Sequence, residues 1–327
     1  MMSVTAVRQN VSPPQEIGYV DECCFFAHAF LLMDELAAIA TIAKKRMLRF
    51  IPLKGAAGII TGENVRFALP MNDVDLLVQE ADYPEWCTLM NEQGYQPLPH
   101  SDTSFVKDGA VPLIFDFHTR LRFLSPRLLA IAWETTCRHS IDGMDYELLQ
   151  PEIDLLYRSL HITVTHGYIN FKWLNDLEML INRVSGQFDW IAFIRYAREC
   201  RAAAPAAAVL RFLGERSSTP VPKQVVSELR TNSSPVVTRL FLHTLHHDGG
   251  IPFFDYIAPL LLGSPGTVFA TLWRKLFPPL QFMKQRYSTT STLQAIVIYP
   301  IRLLLLAVKG IYAAVTSLIL FLIPRGR

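Results

Sequence analysis

The sequence predicts an α+β fold: a small mixed-sheet domain, a mostly helical domain after it, and an apolar C-terminal helix. Three observations carry that prediction. Up to about residue 125, helix-like and strand-like segments alternate and close on a hairpin, the pattern of a mixed sheet covered by helices. Residues 151–215 space their apolar side chains at helical intervals and lack strand alternation. Residues 303–323 form an apolar run interrupted only by Lys309. The expected divisions are a flexible lead-in over 1–19, a sheet domain over 20–125, a helical domain over 126–290 and a tail helix over 291–327.

The elements follow in order. Residues 20–49 are rich in helix formers and end in cations, which suit the negative end of a helix dipole. FIPLKG (50–55) reads as a short strand that breaks at Gly55, and AAGIITGENV (56–65) as a short helix or turn. DVDLLV (73–78) is a strand. DYPEWCTLMNEQGY (82–95) is a helix with Gly94 at its C-cap. TSFVK, an Asp108-Gly109 turn and VPLIFDFH make a hairpin over 103–118. Asp189 and Trp190 open a helix, and ARECRAAAPAAAVLRFL (197–213) spans two helices around Pro205. GERSSTPVPKQ (214–224) is a polar loop, and a further helical stretch runs to about residue 262.

Composition excludes some functions. The 327 residues suffice for two domains with full cores, and the formal net charge of +2 provides no strong field to select nucleic acid. The five cysteines, Cys23, Cys24, Cys87, Cys137 and Cys200, are odd in number and form no C-x-x-C or Cys/His metal spacing. That pattern suits unpaired thiols in a reducing cytosol. The opening MMSVTAVRQNVSPPQE lacks the apolar core of a secretory signal, so a cytoplasmic location is expected. Mean hydropathy is +0.23, and the apolar excess lies mostly in the tail.

The chemistry starts at NDVDLLVQ (72–79). Asp73 and Asp75 flank Val74 at the mouth of a strand, where Asp is normally disfavoured. Strand side chains alternate faces, so the two carboxylates point the same way and repel. A third acid, Asp116, lies on the second hairpin strand with Ile114 and His118 on its face. If that strand pairs beside DVDLLV, three carboxylates converge, and three such charges need a compensating cation. Hard oxygen ligands suit Mg²⁺, which also binds substrate phosphates. Two metals about 4 Å apart could clamp the attacking and leaving oxygens of a phosphoryl displacement.

LKGAAGII (53–60), followed by NDVDLLV and then IFDFH, resembles the polymerase-β-like nucleotidyltransferase superfamily, and more closely a bacterial family of uncharacterised nucleotidyltransferases. That family carries LKG, an Arg before the acid-x-acid strand, and D-x-H. LHITVTHGYINFKWLNDLEMLI (160–181) looks like its H-x-x-x-x-H and K/R-W-x-x-D helix, with DWIAFIRYARE (189–199) at the expected distance. The resemblance covers roughly residues 25–285. It implies transfer of a nucleoside monophosphate from an NTP to a small-molecule, peptide or saccharide acceptor. It implies Mg²⁺ (or Mn²⁺) on Asp73, Asp75 and Asp116, with Lys54, Gly55, Arg66, His118, Lys172 and Asp176 around the nucleotide. Three departures stand out: Gly55-Ala56 replaces a Gly-Gly or Gly-Ser pair, the distance from Gly55 to Asp73 is longer than in minimal members of the superfamily, and Thr119 replaces an aromatic residue. The first leaves open a form that binds nucleotide without turnover. Transfer of a sugar or phosphate group in peptide or polysaccharide tailoring is a further alternative.

Each residue also has a plainer reading. Lys54 can cap strand-end carbonyls, and Gly55 can serve backbone shape alone. Arg66 can be a solvated loop cation. His118 can orient Asp116. Lys172 and Asp176, spaced i,i+4, can be a surface pair. His161 and His166, five apart, do not share an α-helical face, which speaks against zinc. In LHHDGG (245–250) a helix end at Gly249 explains the adjacent His246, His247 and Asp248. The 21 residues Leu303–Ile323 are long enough to cross a bilayer. A mid-span Lys309 costs about 2.5–3.5 kcal/mol on insertion scales. Membrane contact at the inner face, an interfacial helix, and packing on the helical domain are the three readings of this tail.

Overall fold

The computed structural model describes residues 19–62, 71–98, 101, 103–166, 170–217, 219–231, 233–246, 254–262, 266, 269, 273, 276–287 and 289–322. Residues 1–18 of the expected lead-in, Arg66, the end of LHHDGG and Ile323 lie outside the described residues, and Tyr19 already belongs to a helix.

Helix α1 (Tyr19–Lys45) buries Leu32, Leu36, Ile39, Ala40 and Ala43, a stripe at helical spacing. Strand β1 (Phe50–Pro52) and helix α2 (Lys54–Ile60) follow, so the strand ends before Lys54, not at Gly55. After β2 (Val74–Val78) comes α3 (Tyr83–Glu92). Gly94, at φ +82°, ends α3 as expected: its N–H reaches the Asn91 carbonyl and that of Tyr95 reaches Met90, both at 3.0 Å.

The expected hairpin forms as β4 (Ser104–Lys107) and β5 (Leu113–His118), and a two-residue strand, β3 (Gln96–Pro97), adds to its outer edge. The sheet order is β1-β2-β5-β4-β3, with β2 and β5 parallel and the other pairs antiparallel. Both faces are covered. Val74, Leu76, Val78, Phe115 and Phe117 join a core with α1 and α3, whereas Leu77 and Ile51 join the core of the helical half. Strand alternation therefore aims Asp75 with Leu77, and Asp116 and His118 away from Phe115 and Phe117, toward the helices.

The helical texture expected from residue 126 is interrupted. After α4 (Pro126–Glu134), strands β6 (Cys137–Ile141) and β7 (Met144–Leu148) make a second hairpin, and Tyr146 and Leu148 pack into the sheet-domain core. Its turn holds Asp142 at φ +51° and Gly143 at φ +78°, the backbone that Asp-Gly favours in tight hairpins.

Helix α5 (Pro151–Leu160) continues into a π-helical turn, His161–His166, and then α6 (Phe171–Arg183). Helix α7 (Trp190–Glu199) starts as expected, with the Asp189 carboxylate accepting from the Ala192 N–H at 2.9 Å. The break before α8 (Ala203–Arg216) falls at Arg201, φ +55°, ahead of Pro205. Pro205 sits in the first turn of α8, where a missing N–H costs nothing. Helix α8 is buried nearly all round and is the centre of the second core.

Helices α9 (Lys223–Thr231), α10 (Pro235–His246), α11 (Phe254–Leu262) and α12 (Leu280–Arg286) lead to the tail helix α13 (Thr292–Leu322), which contains Pro300. The start of α13 packs on the body. Ala295 is buried, the Tyr299 hydroxyl donates to the Pro278 carbonyl, and the Arg302 guanidinium lies 5.5 Å from the Phe282 ring. Beyond it, Leu304, Val308, Ile311 and Leu318 are all more than half exposed.

Candidate active site

The parallel pairing of β2 and β5 sets Asp75 opposite Asp116 in the same register. The resulting Asp75, Asp116 and His118 ligand atoms lie within 4.8 Å of one another. Asp116 Oδ1 accepts from the Ser104 hydroxyl at 2.9 Å and the Thr103 hydroxyl at 3.2 Å, which fixes its orientation from the neighbouring strand. His118 shares a strand face with Asp116 as expected, but its closer partner is Asp75. Its Nε2 is 2.7 Å from Asp75 Oδ1 and 3.6 Å from Asp116 Oδ2.

Asp75 is buried and also receives the Lys54 ammonium at 2.9 Å. Burial works against its charge, yet the Lys54 and His118 contacts overcome it and hold the carboxyl well below the usual carboxylate range. Burial likewise opposes the charge on Lys54, and Asp75, then Tyr157 and Asp73, raise its pKa above the usual lysine value. Asp73 is exposed at the cleft rim. Partial desolvation against the cleft, then the Asp75 charge, pushes its pKa up. The described cluster thus compensates Asp75 with a lysine and a histidine, and Asp73 stands beside it.

The backbone strain falls one residue earlier than Gly55 suggests. Lys54 itself takes φ +49°, a left-handed conformation that costs a side-chain-bearing residue on the order of 1–3 kcal/mol. It is held there by the Asp75 ion pair and by the Leu53 N–H, which donates to the Asp75 carbonyl at 3.0 Å. Gly55 serves close approach: a Cβ there would lie 3.3 Å from the Met71 sulfur.

These groups floor a cleft of about 600 Å³ whose other wall is helical. Lys54, Gly55, Asp73, Asp75 and Asp116 line one side, and Lys172 and Asp176 line the other. Lys172 and Asp176 are therefore cleft residues, not merely a surface pair. Burial, opposed by Arg158 and Lys172, raises the Asp176 pKa.

The spacing argument about His161 and His166 is overturned. It assumed an α-helix, but the backbone between them is a π-turn, whose i→i+5 period places residues five apart on one face. Their Nε2 atoms are 2.9 Å apart, and both side chains line the cleft. Burial first, and then the Lys54 charge, depresses both imidazoles, His161 to about 2 and His166 to about 4. Both are neutral near pH 7. Trp173 closes the group, with its ring 4.4 Å from that of His166. Ser104 was legible in principle, since antiparallel pairing of TSFVK with LIFDFH puts it opposite Asp116.

The family model described as uncharacterised nucleotidyltransferase matches residues 23–216, more than half of the chain. The chain belongs to this nucleotidyltransferase family. The match runs from α1 to the end of α8, so both walls of the cleft lie inside the nucleotidyltransferase region. Searches of curated proteins and of solved structures return no significant match.

Proposed function

We propose that the protein transfers a nucleoside monophosphate from an NTP to a small-molecule, peptide or saccharide acceptor, releasing pyrophosphate. The observation that carries this reading is the Asp75–Asp116 register, which brings two carboxylates and His118 within 4.8 Å at the floor of a cleft. That donor set fits a divalent metal, because hard carboxylate oxygens dominate it. Asp75 and Asp116, with Asp73 at the rim, would hold Mg²⁺ or Mn²⁺, which would supply charge neutralisation on the phosphates.

The chain's own residues do the rest. The Lys54 and Lys172 ammonium groups bind the triphosphate, and His118 orients the Asp75 carboxylate. Asp116, steadied by Ser104 and Thr103, accepts the proton from the acceptor hydroxyl or amine. The acceptor atom forms a bond to the α-phosphorus, the bond from that phosphorus to the bridging oxygen breaks, and pyrophosphate leaves. The alternative of nucleotide binding without turnover draws on one observation: Lys54 already neutralises Asp75 without a metal.

The test is pyrophosphate release from ATP, GTP, CTP and UTP with Mg²⁺, in the presence of fractionated cell extract. Release that is lost in Asp116→Asn supports the reading. Release from no NTP in any fraction, or release that survives Asp116→Asn, rejects it.

For location, we propose a cytoplasmic enzyme whose α13 contacts the inner face of the membrane. Among the described residues, two helical spans are long and apolar enough to cross a bilayer: Phe26–Lys45, of which 33% is buried, and Thr292–Tyr312, of which 6% is buried. The exposure of the second supports its being the contact.

A further inference from the structure

We infer that His118 is itself a metal ligand through Nε2, so that the site joins two carboxylates to one imidazole and favours Mn²⁺ over Mg²⁺. This inference rests on the metal-dependent reading above and deepens it, because it changes the donor set and with it the ion.

The sheet decides which groups gather. Strands β2 and β5 run parallel with Asp75 opposite Asp116, and His118 stands two residues along β5 from Asp116, opposite Leu77. Alternation puts Asp116 and His118 on one face. From there the imidazole reaches across to β2, and Nε2 lies 2.7 Å from Asp75 Oδ1 and 3.6 Å from Asp116 Oδ2. Neighbouring donors around a six-coordinate ion with bonds of about 2.1 Å stand about 3 Å apart. The two distances bracket that spacing. Asp73, the remaining acid of the sequence pattern, is not in the group that Asp75, Asp116 and His118 form.

The individual atoms are apportioned to suit an ion. Asp116 gives Oδ1 to the Ser104 and Thr103 hydroxyls, and the oxygen it turns to the imidazole is Oδ2. Asp75 takes the Lys54 ammonium on Oδ1 at 2.9 Å, but a carboxylate has about four lone-pair sites and accommodates an ion besides. An ionised Asp75 only accepts, so in its contact with His118 the proton is on Nε2. A neutral imidazole can equally carry that proton on Nδ1, and the Nε2 lone pair then points where the N–H pointed. One direction of one nitrogen thus serves both the hydrogen bond and coordination.

A ring nitrogen discriminates among ions in a way that carboxylates do not. Carboxylates suit Mg²⁺ and Mn²⁺ alike, whereas imidazole is a ligand for transition-metal ions. Mg²⁺ dehydrates reluctantly and is served by oxygen. Mn²⁺ keeps the preference for carboxylates and, as a transition ion, also accepts the imidazole. A set with His118 in place of a third carboxylate therefore costs Mg²⁺ more than Mn²⁺.

The experiment is Mn²⁺ binding to the full chain, followed by the EPR signal of the free ion, with Mg²⁺ as competitor. Pulsed EPR of the bound ion reads coupling to a coordinated nitrogen. Wild-type protein should show that coupling and bind Mn²⁺ about tenfold or more tighter than Mg²⁺. His118→Ala should lose the coupling, and its Mn²⁺ affinity should fall by about tenfold or more while its Mg²⁺ affinity falls less. His118→Asn keeps an N–H for Asp75 without a ring nitrogen, and it should behave as His118→Ala does. Bound Mn²⁺ without nitrogen coupling, coupling that survives in His118→Ala, or a Mn²⁺-to-Mg²⁺ preference that neither variant lowers makes His118 an orienting residue and overturns the inference. The nucleotidyl-transfer reading then stands on its carboxylates. Binding of neither ion to wild-type protein removes the metal site, and the inference with it. Nitrogen coupling lost in both variants, in a protein that releases pyrophosphate from no NTP, keeps the ligand and rejects the transfer.

Discussion

Replacing Asp75 by Asn should cost stability as well as activity. Asp73 and Asp75 look alike in the sequence, two repelling acids whose neutralisation should leave the fold intact. The structure separates them. Asp75 has 8% of its side chain exposed and Lys54 22%, and their charges meet at 2.9 Å. At an effective dielectric of about 20, charges at the separation of this pair attract by about 6 kcal/mol, much of it offset by desolvation. Removing one partner of a buried pair typically costs about 3–5 kcal/mol, because the other charge is stranded. Water still reaches part of the Lys54 side chain, and Asp73 remains nearby. The lower end, about 3 kcal/mol, is therefore expected. Urea denaturation of wild type, Asp75→Asn, Lys54→Met and the double variant closes the cycle. The double variant should recover about 2 kcal/mol relative to the sum of the singles. There is also a pH signature. The native Asp75 carboxyl titrates below the unfolded value of about 3.9, so its stabilisation is complete above that value and is lost as pH falls through the native pKa. Asp75→Asn should lack this acid limb. A loss under about 0.5 kcal/mol, or additive effects in the cycle, would refute the argument that this charge is buried and paired.

Other outcomes follow from the same geometry. Asp73→Asn, at the exposed rim, should leave the urea midpoint unchanged while lowering pyrophosphate release by about a hundredfold or more. Chelation by EDTA should abolish release, and added Mg²⁺ or Mn²⁺ should restore it. His161 and His166 titrate below the unfolded histidine value of 6.5, so the fold should lose stability as pH falls from there toward about 4. Replacing both by Phe should flatten that part of the stability–pH curve. Gly143→Ala, at φ +78°, should destabilise by about 1 kcal/mol, read as a lowered urea midpoint. A chain ended after Leu303 retains the buried Ala295 and Tyr299 contacts, so it should stay folded yet leave the membrane fraction on cell lysis. Unfolding on that truncation, or full-length protein already in the supernatant, excludes the membrane role of α13.

What was legible in the sequence depended on how local its cause was. Strand β2, the β4–β5 hairpin, the Gly94 cap and the Asp189 cap are written in a few adjacent residues, and each forms as the pattern indicates. The β6–β7 hairpin was equally local, since Asp142-Gly143 is the same turn signal as Asp108-Gly109, but surrounding helical spacing masked it. Strand β3, two residues long, has too little pattern to read. Asp75 and Asp116 were singled out because paired acids at a strand mouth are rare, and Lys54 and His118 were named with them, but not as the partners of Asp75; Asp73 lies outside the group that Asp75, Asp116 and His118 form. Which strand lies beside β2 decides that His118 reaches Asp75, and where the chain turns decides that Lys54 is strained and Gly55 is not. The gathering of His161 and His166 was hidden because helical period is an assumption brought to a sequence, and a π-turn leaves no mark in residue type.

That turn has a consequence for insertions and deletions. The meeting of His161 and His166 is set by how many residues separate them, and the identities of Ile162 to Thr165 enter only through packing. Deleting one residue from that interval would return the segment to ordinary α-helix, a conformation the backbone accepts readily. It would also place the two rings one α-helical turn apart while leaving the chain beyond them in nearly its present phase, because five residues of π-turn and four of α-helix both sweep a little more than one turn. The extra residue therefore serves the 2.9 Å contact between the histidines and not the placement of α6, so its removal would fall on that contact alone.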